Sequence, residues 1–535
     1  MAPIARAVKR LRSLRQRRLL RRHPVLPYNQ PMPTASETYQ SLLTALREIT
    51  TLDSIGSLLS WDEQTQMPGK GADLRANQAS LVARLSHEQF TSPRIGEMLD
   101  EASQSDAGRE AEGDVAVNVR ELRRQYDRAR KLPASLVEEI TRTAVLAQQA
   151  WVGARKNSEY KAFEPWLAKM LNLKRQEANC VGFKEHIYDA LLDPYEPNET
   201  VAGLRKVFDA LRGPLVDLIG RIAQSPRKAP LEILERRYPA GAQEAFARDA
   251  AARVGFDFSA GRLDASVHPF CSMIGPGDHR ITTRYDENNF GDAFFSVLHE
   301  VGHALYNQGL PANHWGSPLG EYVSLGIHES QSRLWENLVG RSRAFWTYCF
   351  PKAREAFPDA LRDVSLDQFV FAINDVRPSF IRVDSDEATY NLHVLLRFEL
   401  EQAMLTGDLS PKDVPGAWNE RMRKYLGLTP PDDARGCLQD IHWSHCAIGY
   451  FPTYTLGNLY AAQFFEQARN DLGDLDAQFA KGEFTPLLSW LRENIHRHGR
   501  RYRARELVQR VTGRDLSPKP LLRHLTRKAQ EYYGV

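Results

Sequence analysis

The chain has 535 residues, 42% hydrophobic and 26% charged, the make-up of an ordinary folded protein rather than a disordered one. Its 70 Lys and Arg nearly cancel its 67 Asp and Glu, leaving a net charge of +3, which argues against a general nucleic-acid binder. Five cysteines, widely spaced and without a CxxC pair, argue against a disulfide framework or a thiolate metal site and for a reducing compartment.

Residues 1–31 break the charge balance. They carry Arg6, Lys9, Arg10, Arg12, Arg15, Arg17, Arg18, Arg21 and Arg22, and the first acid is Glu37. Ile4, Val8, Leu11 and Leu14 fall near one helical face, so the segment could form a basic amphipathic helix. That is the pattern of an organelle transit peptide, although Ser is scarce. A disordered basic tail, or an upstream start with the protein beginning at Met32, competes with it. On any of these readings the extension is separate from one large domain over 32–535. No apolar run is long enough to span a bilayer, so the protein is expected to be soluble, without a membrane partner. The expected location is cytoplasmic, or an organelle if residues 1–31 are a transit peptide.

From Thr38 the pattern is helical. Leu42, Leu43, Leu46, Ile49, Leu52, Ile55 and Leu58–Leu59 recur three or four apart, the stripe of a core-facing helix. Similar stripes run over 122–129, 136–151, 163–173 and 201–222, punctuated by Pro133, Pro194 and Pro226. The one convincing extended region is a hairpin, Ser266–Phe270 against Arg280–Tyr285, turning at Gly275–Asp278. The expected fold is a mainly α, single large helical body with a small β-sheet beside the next element.

That element holds His299-Glu300-Val301-Gly302-His303, an H-E-x-x-H motif. Phe294, Val297, Leu298, Val301 and Leu305 keep helical spacing around it, and Gly309 is a plausible C-cap. Positions i and i+4 share a helical face, so both imidazoles can point at one ion. Glu300 then reaches the attacking water rather than the metal. Zinc lowers that water's pKa from about 16 toward about 7, and the glutamate takes the proton. A coincidental histidine pair with a surface glutamate is the competing reading, and the apolar helical context disfavours it.

A catalytic zinc needs a third protein ligand and an open position. The metzincin pattern would require Gly at Tyr306 and His at Gly309, and is excluded. Glu321, Glu329 and Glu336 follow on an apparent helix over Gly320–Val339, and spacing alone does not choose among them. Glu321 lies near the start of that element and Glu336 fits an exposed face. Glu329 is favoured by its polar neighbours His328, Ser330, Gln331 and Ser332, since such a cluster suits a polar site.

Several further blocks stand in order around the motif: His268-Pro269-Phe270, Arg280–Tyr285, His328–Ser332, Ile381-Arg382-Val383 with Asp386–Tyr390, and Leu438–Trp443 with Gly449–Asn458. With Trp61-Asp62-Glu63, Met67-Pro68 and Arg75, they resemble the Taq-type (thermostable carboxypeptidase 1) metallocarboxypeptidases from about Thr38 to the C-terminus. The resemblance implies a helical, deep-cleft fold similar to that of neurolysin-like and angiotensin-converting-enzyme-like peptidases. It implies a homodimer that removes C-terminal residues from peptides with broad specificity. It assigns His299, His303 and Glu329 to zinc, with cobalt or manganese as possible substitutes, and Glu300 to catalysis. It also points to Arg382 for the substrate's free carboxylate and Tyr454 for the reacting carbonyl.

Those roles make chemical sense, because arginine offers a bidentate fork and a phenol can donate to a developing oxyanion. The competing structural readings are an ion pair of Arg382 with Asp384, Asp386 or Glu387, and a Tyr454 packed among aromatics. His268, His442 and His445 are candidates for lining the cleft. Cys271, His279, Ser385 and Cys446 depart from the family pattern and touch no proposed ligand. A zinc endo-oligopeptidase of similar fold is the alternative activity, separated only by the carboxylate-binding cation.

Overall fold

The computed structural model describes residues 35–535, so the basic extension at 1–31 lies outside the described residues. Helices dominate. The first is α1 (Ala35–Thr65), followed by α2 (Ala72–Phe90), α3 (Pro93–Gln104) and α4 (Asp114–Lys131). The stripe read on α1 is buried only in its first half. Leu42, Leu46 and Ile49 pack with Ile95, Met98, Leu99, Leu122 and Tyr126 in a satellite core, whereas Ile55 and Leu58 are exposed. A core-facing stripe needs a facing partner, and past Ile49 the partner is α2, which buries only Ser86.

The stripes at 122–129, 136–151, 163–173 and 201–222 fall within the helices Asp114–Lys131, Ala134–Asn157, Tyr160–Val181 and Val201–Gln224. The apolar face of Asp114–Lys131 belongs to the satellite core, whereas those of the other three join the main core, which continues under the sheet and the rest of the chain.

The sheet has three strands rather than a hairpin alone: β1 (Gly261–Ala265), β2 (Cys271–Gly275) and β3 (Asp278–Thr283), in the order β1-β3-β2. β2 pairs antiparallel with β3, Cys271 opposite Ile281, and β1 pairs parallel with β3, Leu263 opposite Ile281. The Ser266–Phe270 segment expected as a strand is instead the connection from β1 to β2. Trp61, buried on α1, packs against Arg262 and Arg280, whose guanidinium carbons lie 4.9 and 4.2 Å from its ring centre. Arg75 ties the start of α2 to Asp62 at 2.5 Å. The α1–α2 pair is thereby pinned to the sheet.

Helix α5 (Phe290–Gly309) carries the H-E-x-x-H motif. Asn289 caps it, its side chain accepting from the Asp292 N–H. Its first turns are locked in an aromatic cluster: Phe290 lies 5.4 Å from Phe294, Phe294 5.2 Å from Trp346, and Trp346 4.6 Å from Phe369. Helix α6 (Leu325–Arg333) follows, capped by Ser324, and runs into a π-helical turn, Leu334–Val339. The remaining elements at the site are α7 (Tyr390–Thr406) and α8 (Pro452–Leu472).

Two glycines set how α5, α6 and α8 meet. A Cβ on Gly302 would lie 2.5 Å from the Gln331 carbonyl oxygen and from Ser332 Cα, and one on Gly457 2.5 Å from Glu329 Cγ. Only glycine permits these approaches. Helix α6 is pressed between the metal-motif helix and α8.

Candidate metal centre

That packing brings together one ligating atom each from His299, His303 and Glu329, all within 4.8 Å of one another. Glu329 Oε2 lies 3.6 Å from His299 Nε2 and 3.4 Å from His303 Nε2. The opposite ring nitrogens are tied back: His299 Nδ1 meets Glu336 Oε2 at 2.9 Å and His303 Nδ1 the His328 carbonyl at 3.1 Å. A carbonyl can only accept, so His303 carries its proton on Nδ1 and turns the Nε2 lone pair inward; the Glu336 carboxylate does the same for His299. Two imidazole nitrogens and a carboxylate oxygen so placed fit a divalent metal of the zinc type.

Glu329 is oriented from both sides. Arg333 Nε donates to its Oε1 at 2.7 Å and Ser332 Oγ to its Oε2 at 3.1 Å. Burial alone would raise the Glu329 carboxyl, but Arg333 and the two histidines outweigh it and hold it well below its ordinary range.

Of the other two carboxylates weighed as ligands, neither is near enough to join. Glu321 pairs with Arg500 at 2.8 Å and is half-exposed. Glu336 does not sit on an exposed face. It is nearly buried, accepts from Arg333 at 3.1 Å, and holds His299. Seven residues separate it from Glu329, so the two share a face, and packing makes that face internal. Burial would raise its carboxyl too, yet Arg333 and His299 bring it down to about 2.

Glu300 is buried beside the cluster and is not one of the three residues that could hold a metal. Burial raises its carboxyl, partly offset by His299 and His303. Cys271 on β2 faces it, receiving a weak bond from Asn307 Nδ2 at 3.7 Å. Burial and the Glu300 charge push this thiol well up, so it stays protonated and unreactive.

Tyr454, in the first turn of α8, meets His442 Nε2 through its hydroxyl at 3.1 Å. Burial lowers His442 to about 3, so the ring is neutral, and burial also keeps the Tyr454 phenol protonated. Arg382 is buried, with Nε and Nη2 on Asp440 Oδ1 at 3.0 and 2.8 Å and Nη1 on the Tyr390 hydroxyl at 2.7 Å. Its ion-pair partner is thus Asp440, not Asp384, Asp386 or Glu387. Asp386 caps Ala388 and Thr389, and Glu387 takes His524 and Lys528. Arg397 binds the second Asp440 oxygen at 2.5 Å. Burial would raise Asp440, but the two guanidiniums hold it well below its usual range. Two arginines on one carboxylate leave an unbalanced positive charge beside Tyr454.

His268 is exposed between β1 and β2, and its carbonyl, not its ring, is engaged, by Ser266 Oγ at 2.6 Å. His445 is exposed as well. Neither is brought to the cluster. Sequence reasoning passed over Arg333, Tyr390, Arg397, Asp440 and Gly457; the available signal for Asp440 and Tyr390 was their place inside the two blocks that carry His442 and Arg382.

The start of α6 rests on another buried acid. Glu196 Oε1 accepts from the Gly326 N–H, while its Oε2 has no hydrogen-bond partner among the described residues. Burial raises this carboxyl from 4.5 to about 8, with Ser324 and the Gly326 N–H offsetting it only in part. The folded state therefore keeps a proton that the unfolded chain has released, and stability declines as pH rises from about 4.5 through about 8. Glu196→Gln keeps the carbonyl acceptor and removes the titration. Its Tm should fall less than that of the unsubstituted protein over this interval; parallel curves would show that Glu196 does not govern it.

The chain resembles known proteins over nearly its whole length. The model of the family "Carboxypeptidase Taq (M32) metallopeptidase" matches residues 41–529. The chain is 48% identical over 510 residues to thermostable carboxypeptidase 1 of Thermus thermophilus, covering 94% of this chain and 100% of that one. It is 37% identical over 491 residues to carboxypeptidase 1 of Bacillus subtilis, covering 91% and 97%. The crystal structure of the M32 carboxypeptidase from Deinococcus radiodurans R1 superposes with a TM-score of 0.90 at 41% identity, over 93% of this chain and 100% of that one. The chain belongs to the carboxypeptidase Taq (M32) metallopeptidase family, and is a metallocarboxypeptidase.

Proposed function

We propose that this metallocarboxypeptidase is zinc-dependent and releases C-terminal residues from peptides with broad specificity, with His299, His303 and Glu329 holding the metal. The observation that carries this reading is the convergence of two Nε2 atoms and Glu329 Oε2, each imidazole tied back through its Nδ1. Zinc bound there supplies Lewis acidity and makes an attacking water acidic enough to react near neutral pH; cobalt or manganese could substitute.

The chain's own residues do the rest. Glu300 accepts the water's proton and returns it to the leaving amine. Tyr454 donates its hydroxyl hydrogen to the oxyanion that develops on the scissile carbonyl. Arg382, in a cluster with excess positive charge, takes the substrate's terminal carboxylate. His442 holds the Tyr454 phenol in place, and His268 would contact substrate only from the cleft's edge. A fold like that of neurolysin and angiotensin-converting enzyme, a homodimeric state and a cytoplasmic location complete the proposal. Among the described residues no helix is long and apolar enough to cross a membrane.

Metal content tests the ligand set. Glu329→Ala should lose zinc on dialysis against a weak chelator. Glu336→Ala should weaken it by about 10- to 100-fold, as expected when the partner of a ligating histidine is removed. Glu321→Ala should retain it. Zinc lost from the Glu321 variant and kept by the Glu329 variant would mean that the metal lies elsewhere.

A further inference from the structure

Arg124 and Arg128 on α4, Tyr195, Tyr322 and Arg500 line a cavity of about 360 Å³ with no carboxylate in its wall. It adjoins the metal centre along two aromatic paths. Tyr322 lies 4.7 Å from the His328 ring, which stacks on His303 at 4.4 Å. Tyr195 lies 5.1 Å from Tyr450, itself 5.4 Å from Tyr454.

The arginines are held by acids behind the wall. Arg124 pairs with Asp193 at 2.7 Å, Arg128 with Glu177 at 2.8 Å and Arg500 with Glu321 at 2.8 Å. These acids are shared. Glu121 serves Arg120 and Arg503 as well as Arg124, and Glu177 also serves Lys174, so six cations divide four carboxylates. Arg124 Nε is buried without a hydrogen-bond partner among the described residues; Glu121 Oε2 stands 3.6 Å from it, too far for a hydrogen bond. A wall of three guanidiniums and two phenols, with positive charge in excess, suits a carboxylate.

We propose that this cavity is a substrate subsite for an acidic side chain of the peptide, distinct from the Arg382 cluster assigned to the terminal carboxylate. The inference rests on the carboxypeptidase reading of the neighbouring centre. Guanidiniums that are partly exposed and already paired give a modest preference rather than an absolute one.

The test is a set of otherwise identical free-acid peptides with Glu or Gln placed in turn at each position. At one position Glu should be favoured by about 5- to 10-fold in kcat/KM, through KM, and the preference should shrink in 0.5 M salt. The Arg124→Gln/Arg128→Gln double variant should bring the ratio close to one. Calorimetric binding of the same peptide pairs to the Glu300→Gln protein reads the subsite without turnover, so a failure of the catalytic reading remains distinguishable. Equal Glu and Gln peptides at every position, or a preference that survives the double variant, would overturn the proposal. It would equally fail if the double variant lost only the discrimination between free-acid and amidated peptides, for the cavity would then hold the main-chain carboxylate.

Discussion

Replacing Glu300 by glutamine should leave the protein folded and metal-loaded but lower peptide hydrolysis by about 10²- to 10⁴-fold, the usual contribution of a general base. The side chain is buried and almost isosteric with glutamine, so its packing beside Cys271 is kept. It is not among the three ligating residues, so metal content should match that of the unsubstituted protein. KM should change little, because the proton is taken only as the water attacks. Zinc per chain and kcat, measured on the same preparation, decide the matter. Near-normal turnover would place the base elsewhere, and loss of metal would make Glu300 part of the ligand set.

Arg382→Ala should cost free-acid peptides about 10²-fold or more in kcat/KM and barely affect peptides amidated at the C-terminus. In the native protein Arg382 and Arg397 share Asp440, and the positive charge left over is what a terminal carboxylate would neutralise. Truncation leaves Asp440 paired with Arg397 alone, so no buried carboxylate is stranded and the fold should survive. Arg382→Lys should recover only part of the loss, because an ammonium cannot reproduce the fork to Asp440 and the substrate together. The ratio of free-acid to amide activity is the informative quantity. A purely structural arginine would depress both substrates equally, and efficient cleavage of amidated peptides by the unsubstituted protein would favour an endo-oligopeptidase.

Several features of the molecule are legible without coordinates because they depend on neighbours in sequence. The i, i+4 spacing of His299 and His303 puts two imidazoles on one face of any helix that contains them. The apolar spacing from Phe294 to Leu305 makes that helix, and the ordered blocks from Trp61 to Asn458 mark the family. What sequence leaves open depends on contacts between distant segments. The third ligand is Glu329 rather than Glu321 or Glu336 in the proposed site because Gly302 and Gly457 let α6 approach α5 and α8 closely, and no spacing rule contains that distance. Strand β1 escapes detection because, of its five residues, only Leu263 is buried; it is a strand through pairing with β3. Arg382 finds Asp440 58 positions away instead of the acids beside it, of which Asp386 is engaged by Thr389 and Glu387 by His524 and Lys528. Local periodicity determines which residues share a face, whereas close packing decides which faces meet and therefore which charges are left to bind a ligand.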